Sequence, residues 1–276
     1  MDATLQLPLP YDAPKAFHAM PGSSLRVLVA CEYSGTVRDA FRRLGHDAWS
    51  CDVLPTDADD RWHLECKVQE VINEGWDLMI AHPPCTYLSV SGIHWNDRGR
   101  GWEETNKALD FVRMLMAASI PKIAVENPVS IISSKIRKPD PIIQPWQYGH
   151  DASKATCLWL KGLPHLQPTE SIAPRIIDGK SRWANQTDSG QNKLAPSADR
   201  WKIRSTTYAG IARAMAEQWG GKFRQTNSLV EGPGVHLTSG LMRSELIRTG
   251  KMIEVKSEQD VFALAGMEYR EPWERE

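Results

Sequence analysis

The sequence predicts an α/β protein with a mostly parallel sheet. Short apolar runs alternate with segments of helical spacing, and the runs end abruptly at polar residues or prolines. With 276 residues, 41% hydrophobic and 24% charged, the chain has the composition of a soluble globular protein. We expect an extended or disordered arm over residues 1–23, a main domain over 24–226 and a small appendage over 227–276.

The first strand–helix–strand unit has the order of a nucleotide-binding unit. A strand over 25–30 leads through a turn at 31–35 into a helix over 36–44, and a second strand ends at Asp52. Such a turn lets backbone amides and a helix N-terminus face a ligand, and the acid can accept hydrogen bonds from ribose hydroxyls. The turn lacks a complete GxGxxG, and the absence of GK[ST] argues against a P-loop. An ordinary βαβ unit with a solvated Asp52 explains the pattern equally well.

Cys85 follows the next buried strand. The apolar run 78–81 is followed by His82 and then stopped by Pro83 and Pro84. Ligands of open α/β sheets gather just outside the carboxyl ends of the strands, so the stop presents a thiol where such folds perform chemistry. We therefore treat Cys85 as a candidate nucleophile. The alternative is a buried structural cysteine after a turn.

A second functional group ends the following strand in the same way. The apolar run 123–125 leads to Glu126 and Asn127, and Pro128 is expected to stop the strand. Consecutive parallel strands place Cys85 and Glu126 at the same edge of the sheet. A thiol and a carboxyl there make a plausible pair for covalent catalysis.

The segment 86–102 between these two strands is polar and glycine-rich, with two arginines and two tryptophans. It predicts a mobile loop that could close over a large substrate. A loop packed by its own tryptophans is the alternative. A helix over 103–118 follows it.

The second half of the chain is less regular. We expect a strand over 156–160, a surface loop over 171–200 and a helix over 208–219. Residues 192–224 hold seven basic and two acidic residues, 7 − 2 = +5, which is suggestive of phosphate contact.

Composition and cysteine spacing exclude several classes of protein. The five cysteines are an odd number without CxxC spacing, so we expect no metal site, no disulfide framework and a reducing cytoplasm. Neither a signal sequence nor an apolar run of about 18 residues is found, so we expect a soluble protein without a membrane contact. The net charge of −1 gives no global attraction to nucleic acid. The pattern does not indicate an oligomeric state.

The turn 31–35, Asp52, Pro83-Pro84-Cys85 and Glu126-Asn127-Pro128, in this order, resemble the motifs of the DNA (cytosine-5)-methyltransferases, especially the compact members often encoded by phages. The family's Pro-Cys nucleophile matches Cys85, and its Glu-Asn-Val motif matches Glu126-Asn127. The resemblance covers residues 25–220 and implies a Rossmann-like methyltransferase sheet, with 129–200 as a reduced recognition region. It also implies DNA as the partner and a bacterial or phage-infected cell as the location.

The resemblance implies a reaction in which Cys85 adds to carbon 6 of a flipped-out cytosine, and carbon 5 takes a methyl group from S-adenosylmethionine. Glu126, kept protonated by burial, would stabilise the charge that develops on the ring. Asn127 and Lys154 are the other catalytic residues implied. The implied cofactor-binding residues are Cys31, Glu32, Tyr33, Ser34, Gly35, Asp52, Val53, Pro83, Thr207 and Tyr208.

The sequence departs from the family at three places. The turn 31–35 lacks the usual Phe-x-Gly-x-Gly, and the carboxylate expected near residues 65–68 to meet the adenine is replaced by Lys67. The arginines that hold the base and its phosphate are reduced to Lys154 and Thr156. Two other activities therefore stay open. One is cytosine-5 methylation of RNA or of a free nucleotide, and the other is DNA binding by a catalytically silent homologue.

The C-terminal tail resembles a different family. Residues 237–241 and 258–272 look like the end of the thumb in family X DNA polymerases, and no polymerase active site accompanies them. The tail is therefore either a transplanted module that contacts DNA or packs on the domain, or a surface appendage.

Overall fold

The computed structural model describes residues 24–197 and 200–221. Its strands are β1 (Arg26–Ala30), β2 (Asp47–Asp52), β3 (His63–Glu65), β4 (Leu78–Ala81), β5 (Lys122–Pro128), β6 (Ile142–Ile143), β7 (Thr156–Lys161), β8 (Arg175–Ile177) and β9 (Lys180–Arg182). Its α-helices are α1 (Thr36–Arg43), α2 (Val68–Val71), α3 (Val90–Ile93), α4 (Glu103–Ala117), α5 (Ile132–Lys135), α6 (Arg200–Ser205) and α7 (Ala209–Met215). Short 3₁₀ helices cover Asp60–Trp62, Asn96–Arg98 and Pro145–Gln147, and a π-helix covers Ala216–Gly220.

Seven strands form one sheet in the order β3-β2-β1-β4-β5-β7-β6. The first five are parallel, and β7 runs antiparallel between β5 and β6. The predicted, mostly parallel α/β sheet is therefore confirmed, and its arrangement is compatible with a Rossmann-like methyltransferase fold. The order reverses between β1 and β4, and such a switch point is where open sheets bind their ligands.

The central strands are buried on both faces because helices cover the sheet on both sides. Val29 belongs to a core with Phe41 of α1 and Met215 of α7. On the opposite face, Met79 of β4 belongs to a core with Val112 of α4. Successive residues of a strand point to opposite faces, so one apolar run supplies both cores.

β5 ends at Pro128, where the sequence predicted the stop. Glu126 and Asn127 belong to the strand, and Pro128 pairs with Thr156 of β7. The antiparallel neighbour β7 extends the ladder beyond the apolar residues 123–125. Glu126 consequently lies within β5, held by pairing opposite Leu158.

The segment 171–200 is not only a surface loop, because β8 and β9 form a hairpin within it. Asp178 and Gly179 form its turn with φ of 49° and 72°. An Asp-Gly pair is a strong signal for such a turn, since both positions need positive φ. The predicted helix over 208–219 divides into α7 and the π-helix that follows.

The segment 86–102 is held by local structure. Asn96 is buried and donates to the Thr105 hydroxyl at 2.7 Å. Trp95 and Trp102 are 55% and 40% exposed, and each also contacts a residue of the segment, Trp95 the His94 ring and Trp102 the Asp97 carboxylate. Closure of this segment over a substrate stays a prediction.

The predicted arm over 1–23 and the appendage over 227–276 lie outside the described residues, as do the tail segments 237–241 and 258–272. The domain boundaries therefore stay predictions. Among the described residues, no helix has the length and apolar character needed to cross a membrane. Over the same ranges, no group of three or more His, Cys, Asp or Glu side chains is arranged to hold a metal ion.

Candidate active site at the carboxyl edge of the sheet

The turn between β1 and α1 is fixed by a buried carboxylate. Glu32 accepts hydrogen bonds from the backbone N–H groups of Val37 at 2.7 Å and Arg38 at 3.2 Å. These N–H groups lie in the first turn of α1 and have no partner within the helix, so Glu32 satisfies them as a capping residue does. Its carboxyl therefore holds the turn in shape, and burial raises its pKa.

The other residues of the turn are tied to neighbouring elements. Ser34 donates to the Glu32 carboxylate at 3.3 Å, and Gly35 precedes α1 with a φ of 68°. The Tyr33 hydroxyl donates to the Lys202 carbonyl at 3.0 Å, which joins the turn to α6. Cys31 has a φ of 59°, and burial raises the pKa of its thiol to about 12, with the nearby Asp52 adding to the effect. The turn is thus rigid, and its thiol is not suited to nucleophilic chemistry.

Asp52 ends β2 beside this turn. Its Oδ1 accepts the backbone N–H of Leu54 at 3.0 Å, and the side chain remains partly accessible. The next two side chains, Val53 and Leu54, are 65% and 40% exposed. An accessible carboxylate next to exposed apolar side chains offers what a nucleoside needs, namely an acceptor for ribose hydroxyls and a surface for a base.

Cys85 lies just beyond β4 and is accessible. It is the exposed one of the five cysteines, so the alternative of a buried structural cysteine is wrong. Its carbonyl accepts the N–H groups of Leu88 and Ser89 at 3.1 and 2.9 Å, which begins a tight turn directly after the thiol.

The backbone leading to Cys85 is anchored to β5. Asn127 is buried, and its Nδ2 donates to the Pro83 carbonyl at 2.8 Å. Since Pro83 and Pro84 have no N–H and fixed φ values, this one hydrogen bond constrains a stiff segment. Asn127 thus positions the segment that carries Cys85.

Glu126 forms a buried ion pair with His82. Oε2 of Glu126 lies 3.0 Å from Nδ1 of His82, and the two side chains are only 14% and 9% exposed. Burial alone would raise the Glu126 pKa, but the hydrogen bond from His82 and the charge of Lys154 hold it below its usual value. The expectation that burial keeps Glu126 protonated is therefore wrong for the free protein, because burial brings a cation with it.

Lys154 lies near this pair without forming an ion pair among the described residues. Its Nζ donates to the Arg204 carbonyl at 2.8 Å, which links the segment before β7 to α6. Its positive charge lowers the pKa of both Glu126 and His82. Lys154 therefore favours the ionised form of Glu126 and opposes the charged form of His82.

Thr207 and Tyr208 immediately precede α7. Both are partly buried, and the Tyr208 ring packs on His150 with the ring centroids 5.2 Å apart. Burial raises the Tyr208 pKa, so its hydroxyl stays neutral near pH 7. The contacts of Tyr208 among the described residues are those of a packing residue.

The hydrogen bond from Asn127 brings Pro83 next to the end of β5, which carries Glu126. A separate hydrogen bond, from the Glu32 N–H to the Cys51 carbonyl, joins the turn 31–35 to β2. Sequence reasoning gave no role to His82, the partner of Glu126. A signal was present, since His82 is a polar residue placed between a fully buried strand and the Pro-Pro stop.

Comparisons with known proteins give limited family information. The family model for the DNA polymerase beta thumb matches residues 212–276, which is a minority of the chain. A solved structure of a methyltransferase from Entamoeba histolytica aligns at 13% identity with a TM-score of 0.39, over 55% of this chain and 58% of that chain. A likeness of this size carries no argument about function. No curated protein matches the chain.

The thumb match begins inside the main domain. Its first residue, Ala212, and the nearby Met215 and Trp219 are buried in the core beside α1. The remainder of the match, from residue 222 onward, lies outside the described residues.

Proposed function

We propose that this protein transfers a methyl group from S-adenosylmethionine to carbon 5 of cytosine in DNA. The observation that carries the proposal is an exposed cysteine at the switch point of the sheet, anchored through the Asn127–Pro83 hydrogen bond beside a buried carboxyl group. An accessible thiol, a positioned carboxyl and a nucleoside-type cofactor edge are the three parts that this chemistry needs.

Cys85 acts as the nucleophile. Its thiolate adds to carbon 6 of the base, a carbon–sulfur bond forms, and the electron pair of the ring double bond moves toward carbon 5. The Glu126 carboxyl stabilises the ring by a hydrogen bond to ring nitrogen 3. After carbon 5 has been methylated, loss of its proton returns the electron pair to the ring and expels the Cys85 thiolate.

The cofactor fits the edge formed by β1 and β2. When bound, S-adenosylmethionine supplies an electrophilic methyl group. The turn 31–35 provides backbone groups for the amino-acid part, Asp52 accepts from the ribose hydroxyls, and Val53 contacts the adenine. Pro83, Thr207 and Tyr208 border the methyl donor in this proposal.

DNA as the substrate is supported by three features. The thumb-family match indicates a DNA-contacting segment, and the described part of the basic stretch contains five cations, Lys193, Arg200, Lys202, Arg204 and Arg213. Trp95 and Trp102 are exposed in the segment that follows Cys85, where aromatic rings can stack on bases. A base within a duplex is out of reach, so the target cytosine is flipped out.

The test is nucleoside mass spectrometry of DNA incubated with the full chain and S-adenosylmethionine, paired with covalent trapping on DNA that contains 5-fluorocytosine. We expect 5-methylcytosine and a trapped complex with the wild type. Cys85→Ala should lower the rate by roughly 10⁴-fold or more and abolish trapping. Cys66→Ala, which removes another partly accessible thiol, is the matched control and should retain both activities.

Full methylation by Cys85→Ala would refute the covalent mechanism. Methylation of dCMP or RNA but not of duplex DNA would favour the smaller substrates, which the single short hairpin in residues 129–197 also suits. DNA binding with neither methylation nor trapping would identify a catalytically silent homologue.

A further inference from the structure

His82 contacts one buried carboxyl group and is influenced by the charge of a second. Its Nδ1 contacts Oε2 of Glu126 at 3.0 Å on one side, and the charge of Glu32 acts on it as well. Its Nε2 is buried and makes no hydrogen bond within the described ranges. A buried imidazole with an unpaired ring nitrogen is costly to keep, so its position needs an explanation beyond packing.

The charges around His82 come from three parts of the chain. Glu126 is on β5, Glu32 is on the turn after β1, and Lys154 precedes β7. The Cys157 thiol of β7 senses the Glu126 charge, which together with burial raises its pKa. Burial and Lys154 oppose a charge on His82, but the hydrogen bond to Glu126 and the two carboxylates raise its pKa above the ordinary value. In the free protein both shifts favour an imidazolium paired with a carboxylate.

This charge state is the opposite of what the reaction needs at the base. A carboxylate can only accept hydrogen bonds, whereas stabilising ring nitrogen 3 during thiolate addition needs a donor. A proton must therefore reach Glu126 when the base is bound, and the side chain in hydrogen-bond contact with the carboxylate is His82.

We propose that His82 is a positioning residue that stores the proton which Glu126 requires. This inference rests on the proposed function and deepens it. As the base displaces water from the carboxyl edge, the Nδ1–H bond of His82 breaks with its electron pair left on nitrogen, and an O–H bond forms on Oε2 of Glu126. The products are a neutral imidazole and a neutral carboxylic acid, and no other reactant is needed. Neutralising a buried ion pair is favourable when its surroundings lose water.

The first test needs no substrate. In the free full chain labelled with nitrogen-15 at histidine, the His82 signals are assigned by their loss in His82→Gln. We expect both ring nitrogens to be protonated at pH 7, and we expect Glu126→Gln to convert the ring to a neutral form. A neutral His82 in the wild type at pH 7 would overturn the proposal even if the protein methylates DNA.

The second test follows the rate of covalent trapping on 5-fluorocytosine DNA across pH 6 to 9. The ratio of the His82→Gln rate to the wild-type rate cancels every pH effect that both proteins share. With the proton store removed, the ratio should fall by about tenfold or more between pH 6 and pH 8.5, since the proton must then be held by Glu126 itself. A purely structural role would give a ratio that does not change with pH.

Three further variants complete the design. In Glu126→Gln, the amide is a permanent donor, so adding His82→Gln should change the rate less than twofold, with no pH trend. His82→Asn repeats the measurement if His82→Gln does not fold, and the exposed His165→Gln is the matched control with a constant ratio. A pH-independent ratio for both His82 variants would overturn the proposal. Absence of wild-type trapping and methylation would instead refute the proposed function, and the proton-store role with it, whatever charge the first test finds on His82.

Discussion

The Asn127–Pro83 hydrogen bond connects the fold to the reactive thiol, and its removal has a calculable cost. Asn127→Ala deletes the donor and leaves the Pro83 carbonyl without its 2.8 Å partner. An unsatisfied buried carbonyl costs about 1–3 kcal/mol. The same change also removes the Asn127 Oδ1, a buried acceptor that makes no hydrogen bond within the described residues, and this offsets part of the cost. We therefore expect a loss of about 1–2 kcal/mol in the free energy of unfolding.

Urea denaturation measures that loss, and trapping on 5-fluorocytosine DNA measures the effect on Cys85. Because the segment carrying Cys85 loses its tie to β5, a displacement of about 1 Å would slow trapping by roughly 100-fold. Asn127→Asp, which keeps the shape but turns a donor into an acceptor, should destabilise at least as much. The exposed Asn73→Ala is the control. Unchanged unfolding free energy and trapping in both Asn127 variants would refute the anchoring role.

Two further predictions concern stability. Gly210→Ala would place a Cβ against the Tyr148 carbonyl, so it should lower the free energy of unfolding measured in denaturation experiments. Helix propensity alone predicts the opposite, a gain of about 1 kcal/mol. A measured gain would refute the close approach of α7 to Tyr148. The His82–Glu126 pair should stabilise the fold most between pH 4.5 and 6.5, the ordinary pKa values of Glu and His. The His82 pKa is raised in the folded protein, so the stability that His82 contributes declines as the pH rises through that folded value. The Glu126 pKa is lowered, so the stability that Glu126 contributes declines as the pH falls through its folded value. The difference in unfolding free energy between wild type and His82→Gln, measured from pH 3 to 9, should therefore peak in that window, and a difference that is flat with pH would contradict the ion pair.

The strands and helices of the first half of the domain could be predicted from local pattern. Short apolar runs indicated β1 and β4, and helical spacing indicated α1 and α4, with ends that agree to within one residue. The Asp-Gly turn of the β8–β9 hairpin was also readable, but the polar character of the segment concealed it. Strands that are buried on both faces, and turns that need positive φ, can be located from the local sequence because both restrict which residue types can occur there.

The pairing of Glu126 and Asn127 within β5 and the charges around the site depended on neighbours that local sequence does not reveal. β5 extends beyond its apolar run 123–125 because β7 returns antiparallel beside it, and that pairing joins residues about thirty positions apart. His82 and Glu126 meet because Ala81 and Val125 are paired in the β4–β5 register, one position before each of them.

The sequence by itself determined an α/β chain with a thiol and a carboxyl at the ends of adjacent strands. Only the tertiary structure decided that the thiol is exposed and that the carboxyl is paired with an imidazole, which favours its ionised form. The physical reason is that a pKa in the interior depends on which charges share the low-dielectric space, and strand register chooses those charges.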